Sequence, residues 1–305
     1  MPKFSVVIPV FNKVSTLSAA LACLYHQTHR DFEIIAVDDG STDGSLQLLL
    51  REEGAGRLRL FQRGTPGPGG YAARNHGAGQ ARAEWLVFFD ADDLLLFDHL
   101  SRFSAAITQH ADVELFVNAY QKLERGRRLP RLDDLPVGVL TRQQALAAFA
   151  RCDFIHMNGA CLHRERFRML GGFPAGQYRR GGDVHFWLRT LCALERIHYD
   201  DTVTSLWQLE HSGVTRDTAN LIGIHPCQGL LGEIPHLSRQ ERRQLATAVN
   251  RKVLSWAVEK RRLGLSVDAD LKALTLTAMR PRLWYHVLSL WAPRALFEQM
   301  HSQSA

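Results

Sequence analysis

The run Trp85-Leu86-Val87-Phe88-Phe89-Asp90-Ala91-Asp92-Asp93 decides how this chain is read: an apolar strand that ends abruptly in three carboxylates. Carboxylates at the end of a buried strand are expensive to desolvate unless a cation or hydrogen-bond donors meet them. Oxygen ligands of this kind suit Mg²⁺ or Mn²⁺, and a metal with few protein ligands keeps positions open for substrate phosphates. A loop of helix-capping aspartates is the competing reading, and the D-x-D pattern favours the metal.

Working back towards the N-terminus, strand-like and helix-like patterns alternate. Phe4 to Val10 is apolar and β-branched, and Ser15 or Thr16 is expected to cap a helix through His29. Glu33 to Val37 is a second strand that ends at Asp38-Asp39-Gly40, with Asp43 placed to cap the next helix. Arg57 to Gln62, a helix over Tyr71 to Ala81 and a strand over Glu84 to Phe89 complete the series. Strands separated by helices imply parallel βαβ units and an α/β, doubly wound, Rossmann-like sheet with helices on both faces. Ligands of such sheets lie beyond the carboxyl ends of the strands, so Pro9 to Lys13, Asp38-Asp39 and Asp90 to Asp93 are expected on one rim. One of Asp38 and Asp39 can accept from a base N–H or a ribose hydroxyl while the other serves turn amides. Gly64 to Gly70 lacks the G-x-x-x-x-G-K-[ST] pattern and is read as a mobile loop.

Beyond Asp93 the pattern is mixed. Helices are expected over Leu100 to His110, Thr141 to Ala150 and Asp183 to Glu195, with strands over Val113 to Leu123 and Arg196 to Leu209. Ile155 to His163 reads as extended, and Glu124 to Pro136 as a loop or hairpin. From Ser238 the signal is helical, interrupted at Gly264 to Ser266 and at Pro281 and Pro293. The expected organisation is one domain over 1–230, divided at the change of pattern into 1–93 and 94–230, then a basic helical extension over 231–305.

Four ordered blocks resemble the nucleotide-sugar half of family 2 glycosyltransferases with the GT-A fold. They are Ser5-Val6-Val7-Ile8-Pro9-Val10-Phe11-Asn12-Lys13, Gln27-Thr28 with Asp31 to Asp43, Ala73-Arg74-Asn75-His76-Gly77, and Asp90-Ala91-Asp92-Asp93. The resemblance implies an inverting, metal-assisted transfer of a sugar from a nucleotide-diphosphate donor to a saccharide or lipid-linked saccharide acceptor, in surface or envelope polysaccharide synthesis. It also implies a catalytic domain with a nucleotide-sugar half over 1–93 and an acceptor half over 94–230, and positions within it: Pro9, Phe11 and Asp39 near base and ribose, Arg74 near the nucleotide or pyrophosphate, Asp90 near ribose or metal, Asp92 as metal ligand, and Asn12, Asp38 and Ala91 also in the nucleotide-sugar site. His211, in Glu210-His211-Ser212-Gly213, stands where many members carry a histidine, as a second metal ligand or as a surface residue. Asp183, delivered to a helix start by Gly181-Gly182, is the expected base or else a plain N-cap. The family usually shows Glu-Asp there, and this chain has Gly182-Asp183.

Composition bounds the rest. The chain has 305 residues, 46% hydrophobic and 22% charged, with net charge +6. That suffices for a large core and excludes disorder. Leu231 to Ala305 holds 12 Lys/Arg against 6 Asp/Glu, while residues 1 to 230 hold 25 of each, so all the excess lies in the tail. A neutral body argues against a nucleic-acid partner. The tail's Arg251-Lys252, Lys260-Arg261-Arg262 and Arg280 to Arg282, with Trp256, Trp284, Tyr285 and Trp291, fit an anionic membrane surface, a partner protein or helix-bundle packing. Five cysteines without a C-x-x-C pair, no visible secretory leader and no long apolar run give an expected cytoplasmic location, peripheral on the inner face of the membrane. Missing glycines in the first βα loop speak against a pyrophosphorylase, dehydrogenase or methyltransferase. A non-catalytic nucleotide-sugar-binding or scaffolding subunit is the alternative that Gly182 keeps open.

Overall fold

The computed structural model describes residues 2–131, 135–211, 220–221, 223–234 and 236–301. Its first half alternates β1 (Phe4–Val10), α1 (Val14–Tyr25), β2 (Phe32–Asp38), α2 (Ser45–Gly54), β3 (Arg59–Gln62), α3 (Tyr71–Gly79) and β4 (Trp85–Phe88). The chain then contributes β5 (Leu94–Leu95), α4 (His99–Gln109), β6 (Leu115–Glu124), β7 (Arg127–Arg128), β8 (Gly138–Thr141) and α5 (Arg142–Phe149). It continues with β9 (Ala160–His163), α6 (Arg164–Met169), α7 (Gly182–Ala193) and β10 (Arg196–Gln208). The tail is helical: α8 (Leu230–Glu233), α9 (Arg239–Arg262), α10 (Asp268–Lys272), α11 (Pro281–Trp291) and α12 (Arg294–His301).

One mixed sheet runs in the order β3-β2-β1-β4-β9-β6-β10-β5, with β7 on β6 and β8 on β10. Strands β1 to β4 pair in parallel, and β9 is antiparallel to both β4 and β6. Period-two alternation sends Val7, Ile35, Val37, Leu86 and Phe88 to one core, and Val6, Ile8, Ile34, Ala36, Val87 and Phe89 to the other. The second core is closed by Leu17, Leu21 and Leu24 of α1 and by Leu100 and Phe103 of α4. The first is closed by α3, α5 and α7, and Leu245, Ala248, Val249 and Val253 of α9 enter it too. The tail's own core, around Leu254, Ala257, Leu283, Leu290 and Phe297, is separate.

The sequence reading differs from the structure where long-range partners replace local ones. Neither Ser15 nor Thr16 caps α1. The helix starts at Val14, where the Lys13 and Val14 amides donate to Ser45 Oγ (2.8 Å) and Asp43 Oδ2 (3.0 Å). It stops at Tyr25 rather than His29, four residues short, and the Gln27 side chain turns away to donate to the Leu96 carbonyl (2.7 Å) and accept from the Leu100 amide (3.0 Å). Ile155 to His163 is not extended throughout, because Met157–Gly159 forms a 3₁₀ turn before β9. A Cβ at Gly159 would lie 2.6 Å from the Asn118 carbonyl of β6, so glycine lets that turn lie against the sheet. Strands β5 and β8, with two and four residues, are too short to show a period.

The fold also buries histidines that cannot be charged. His99 is fully buried, with Nδ1 2.7 Å from Thr204 Oγ1 and its ring edge-on to Phe103. Burial lowers its pKa from 6.5 to about 3. Between those values the unfolded chain binds a proton that the folded one excludes, so stability falls as pH drops below 6.5. At pH 5 this histidine alone costs about 2 kcal/mol. The thermal midpoint is expected to drop from pH 7 to pH 5, with a shallower drop in His99→Asn; equal slopes for the two proteins contradict the assignment.

Candidate active site

The rim is assembled by register. Val10 stands opposite Asp38, and the Asp39 amide donates to the Val10 carbonyl (2.8 Å). Val7 stands opposite Phe88, and the Phe89 amide donates to the Val7 carbonyl (3.0 Å). Pro9 to Lys13, Asp38-Asp39 and Asp90 to Asp93 therefore meet at one edge, with Phe11 half-exposed there.

Three carboxylates converge, with ligand atoms of Asp90, Asp92 and Asp93 all within 4.8 Å of one another. Each is offset from a different part of the chain. Asp90 is ion-paired with Arg74 of α3, and Arg74 also donates to the Gly69 carbonyl (2.9 Å). Arg74 gets there because α3 lies tight on the sheet: a Cβ at Gly77 would sit 2.5 Å from Val7 Cγ1 and 3.1 Å from Val37 Cγ2. Asp92 receives the Lys13 ammonium at 2.5 Å, and Lys13 also donates to the His211 carbonyl (3.1 Å). Asp93 is buried and accepts from Asn158 Nδ2 (2.6 Å) and the Gln208 amide (2.7 Å). Asn158 Oδ1 accepts from the Asp90 amide (2.9 Å), and Gln208 Nε2 donates to the Asp92 carbonyl (2.6 Å). Burial, then the neighbouring Asp90 charge, pushes the Asp92 carboxyl up against the opposing pull of Lys13. The same causes, with Asp92 added, push Asp93 well above its ordinary value.

This donor set fits a hard divalent cation. Asp93 is consumed by two hydrogen bonds, while Asp90 and Asp92 each keep an oxygen that no other described residue engages. Ala91 is buried between them. His211 meets the site through its carbonyl on Lys13, and its ring is not part of the carboxylate group. Residues 212–219, which follow it, lie outside the described residues.

On β2 the two aspartates divide their work. Asp38 Oδ2 accepts from the Gly40 and Ser41 amides (both 3.2 Å), while its buried Oδ1 has no partner among the described residues. Asp39 pairs with Arg63 and accepts from the Gly67 amide (2.8 Å), which fastens the Gly64 to Gly70 loop. Asn12, at φ 53°, accepts from the Thr42 amide (2.8 Å), and its own amide donates to Ser41 Oγ (3.0 Å). Asn12 thus braces the two rim loops against each other.

Asp183 sits in the first turn of α7. The Gly182 and Asp183 amides donate to the Tyr71 hydroxyl (3.0 and 3.3 Å). A Cβ at Gly182 would meet the Tyr71 ring at 2.9 Å, so the ring packs against the bare backbone of Gly182. Burial raises the Tyr71 phenol and the Asp183 charge adds to it. His156, packed against Tyr120 (4.7 Å) and Trp207 (5.1 Å), has its pKa lowered to about 4 by burial, opposed by the charges of Asp90 and Asp183. Sequence reading names none of Asn158, Gln208, Tyr71 or His156 as a site residue.

The glycosyl transferase family 2 profile matches residues 5–165, more than half of the chain. The chain belongs to glycosyl transferase family 2. A PGL/p-HBAD biosynthesis glycosyltransferase of Mycobacterium bovis is 38% identical over 116 residues, 37% of this chain and 45% of that protein. An uncharacterized glycosyltransferase of Rickettsia felis is 39% identical over 98 residues, 32% of this chain and 16% of that protein. The matches thus span less than half the length of these curated relatives. Among solved structures, S. aureus TarS 1–349 in complex with UDP-GlcNAc superposes with TM-score 0.73 at 20% identity, covering 98% of this chain and 89% of that one. The mannosyltransferase PcManGT from Pyrobaculum calidifontis, in complex with GDP-Man and Mn2+, gives TM-score 0.60 at 20% identity, covering 99% and 84%. The fold of this family 2 chain is GT-A, with a helical C-terminal extension.

Asn158 is the most exacting test of the carboxylate arrangement. Asn158→Ala leaves Asp93 short of a donor and is expected to cost about 1–3 kcal/mol. Asn158→Asp sets a further carboxylate beside Asp93 and should cost more. Denaturation at pH 7 checks the order; an aspartate variant as stable as the alanine one contradicts it.

Proposed function

We propose that the chain transfers a sugar, with inversion, from a nucleotide-diphosphate donor to a hydroxyl of a saccharide or lipid-linked saccharide, in surface or envelope polysaccharide synthesis. The observation that supports this reading is the convergence of Asp90, Asp92 and Asp93 on the rim that also carries Asp38 and Asp39, with Asp183 acting electrostatically on Arg74 from the acceptor half. Pro9, Phe11, Asp38 and Asp39 form the base and ribose side, and the unpartnered Asp38 oxygen is an acceptor for a donor N–H or O–H. Asp92 and Asp90 would hold Mn²⁺ or Mg²⁺, and a divalent ion there would supply charge stabilisation for the departing diphosphate. Arg74 orients Asp90 and adds fixed positive charge. Asp183, in the first turn of α7, accepts the acceptor hydroxyl's proton. Tyr71 donates no carboxylate but supplies an oxygen to the turn amides, which supports a competent site despite Gly182.

Peripheral attachment to an anionic membrane is part of the proposal. No described helix is long and apolar enough to cross a membrane. Helix α11 instead leaves Trp284 (44%), Leu288 (66%) and Trp291 (75%) exposed at helical spacing, next to the exposed Arg282. Aromatic and basic residues together suit the interface of an anionic bilayer.

A thermal-shift panel of UDP-, GDP- and dTDP-sugars with and without Mn²⁺ tests the donor site. One donor class is expected to stabilise the protein, and more so with Mn²⁺. A charge contact of about 4 kcal/mol makes Asp92→Asn at least about a hundredfold slower, with the Mn²⁺ increment lost. Asp183→Asn is expected to keep donor binding and lose turnover; binding without turnover in the wild type as well would instead indicate a scaffold subunit. For the membrane surface, Trp284→Ser, Leu288→Ser and Trp291→Ser together are expected to abolish co-sedimentation with anionic liposomes. Undiminished co-sedimentation contradicts that surface.

A further inference from the structure

Helix α9 of the C-terminal extension reaches the turn that carries Asp183. Both guanidinium nitrogens of Arg180 donate to the two carboxylate oxygens of Glu259, each at 2.9 Å. Such a fork-to-fork pair fixes orientation as well as distance. The Arg180 guanidinium also lies 5.9 Å from the Trp256 ring, one helical turn before Glu259, and Trp256 is edge-on to His225 at 4.7 Å.

Gly181-Gly182 follows Arg180 directly, and glycine allows the turn a backbone conformation that other residues rarely adopt. Gly181 adopts φ 78° as the N-cap of α7. A Cβ there would lie 3.0 Å from His225 Nε2 and 3.1 Å from Pro226 Cδ, and a Cβ at Gly182 would lie 2.9 Å from Tyr71 and 3.0 Å from Pro174. The turn is thus wedged between His225-Pro226 on one side and Tyr71-Pro174 on the other, with Arg180 as its tether. The tether's far end is itself fixed. Arg251 and Lys252 of α9 grip Asp153 at 2.5 and 2.8 Å, and Lys260 is paired with the buried Asp270 at 2.7 Å and donates to the Gly223 carbonyl at 2.5 Å.

We infer that Glu259, with Trp256, is a positioning residue: through Arg180 it sets the Gly181-Gly182 turn and so the placement of the Asp183 carboxylate relative to the acceptor hydroxyl. The C-terminal extension is then part of the acceptor side of the site as well as a surface. This inference rests on Asp183 being the base.

The test uses the full-length chain with Glu259→Gln and Arg180→Lys, which keep size or charge and lose the fork, and the charge-swapped double variant Arg180→Glu with Glu259→Arg. Amide hydrogen exchange at residues 181–184 is expected to rise about tenfold or more in the single variants. Exchange over 85–93 and the thermal midpoint should stay at wild-type values, and the swapped pair should recover part of the protection. With UDP-GlcNAc and GDP-mannose as probes, release of nucleoside diphosphate should show kcat lowered about tenfold or more with donor KM unchanged. Unaltered exchange at 181–184 overturns the inference, as does a loss of kcat matched by a fall in the thermal midpoint. Asp183→Asn separates the two claims. Full turnover in that variant removes the base assignment, whereas an inactive Asp183→Asn beside fully active Glu259 variants removes the positioning role alone.

Discussion

Three like charges crowded at the end of one buried strand are the constraint that the rest of the molecule answers. Asp90, Asp92 and Asp93 cannot all face one another in a partly dry site without opposing groups. Those groups arrive from separate elements: Arg74 from α3, Lys13 from the turn after β1, Asn158 from the 3₁₀ turn before β9, and Gln208 from the end of β10. Removing the fold would leave the carboxylates with nothing but water. In that sense the site and the sheet are one object, because the strand order that pairs β4 with β1 and β9 is also what delivers its counter-charges.

The carboxylates are not equivalent in this arrangement. Asp93 is spent on structure, joining the strand end to Asn158 and Gln208 through two donors. Asp90 is held by the buried Arg74 and Asp92 by the partly exposed Lys13, and each keeps an oxygen that no other described residue engages. A division between a buried structural acid and two accessible ones is what a site needs if it must keep its shape while exchanging a charged donor for a charged product. Lys13 adds a link from Asp92 to the segment at His211, so the charge state of the rim is connected to the chain that leads into the tail.

Most of the first ninety or so residues was legible because their signals are local. Short apolar runs marked β1, β2 and β4, and the rule that ligands sit beyond parallel strand ends marked the rim. What stayed hidden depends on contacts between distant residues. The Gln208 amide and Asp93 are 115 residues apart, and Tyr71 and Gly182 are 111 apart, so no window of sequence contains either pair. The same reason explains α1: its expected cap at Ser15 or Thr16 lost to Asp43 and Ser45 from the next loop. Gly182 is the most instructive case. From the sequence it marks a missing acid, and in the fold it marks the only residue type that leaves room for the Tyr71 ring.

The account is tested most directly by anomalous diffraction from a crystal grown with Mn²⁺ and a nucleoside diphosphate. It predicts a manganese peak on the carboxylates of Asp90 and Asp92, with Lys13 moved off Asp92. A diphosphate seated on the rim with no manganese at Asp90 or Asp92, or with Lys13 still paired to Asp92, would contradict it.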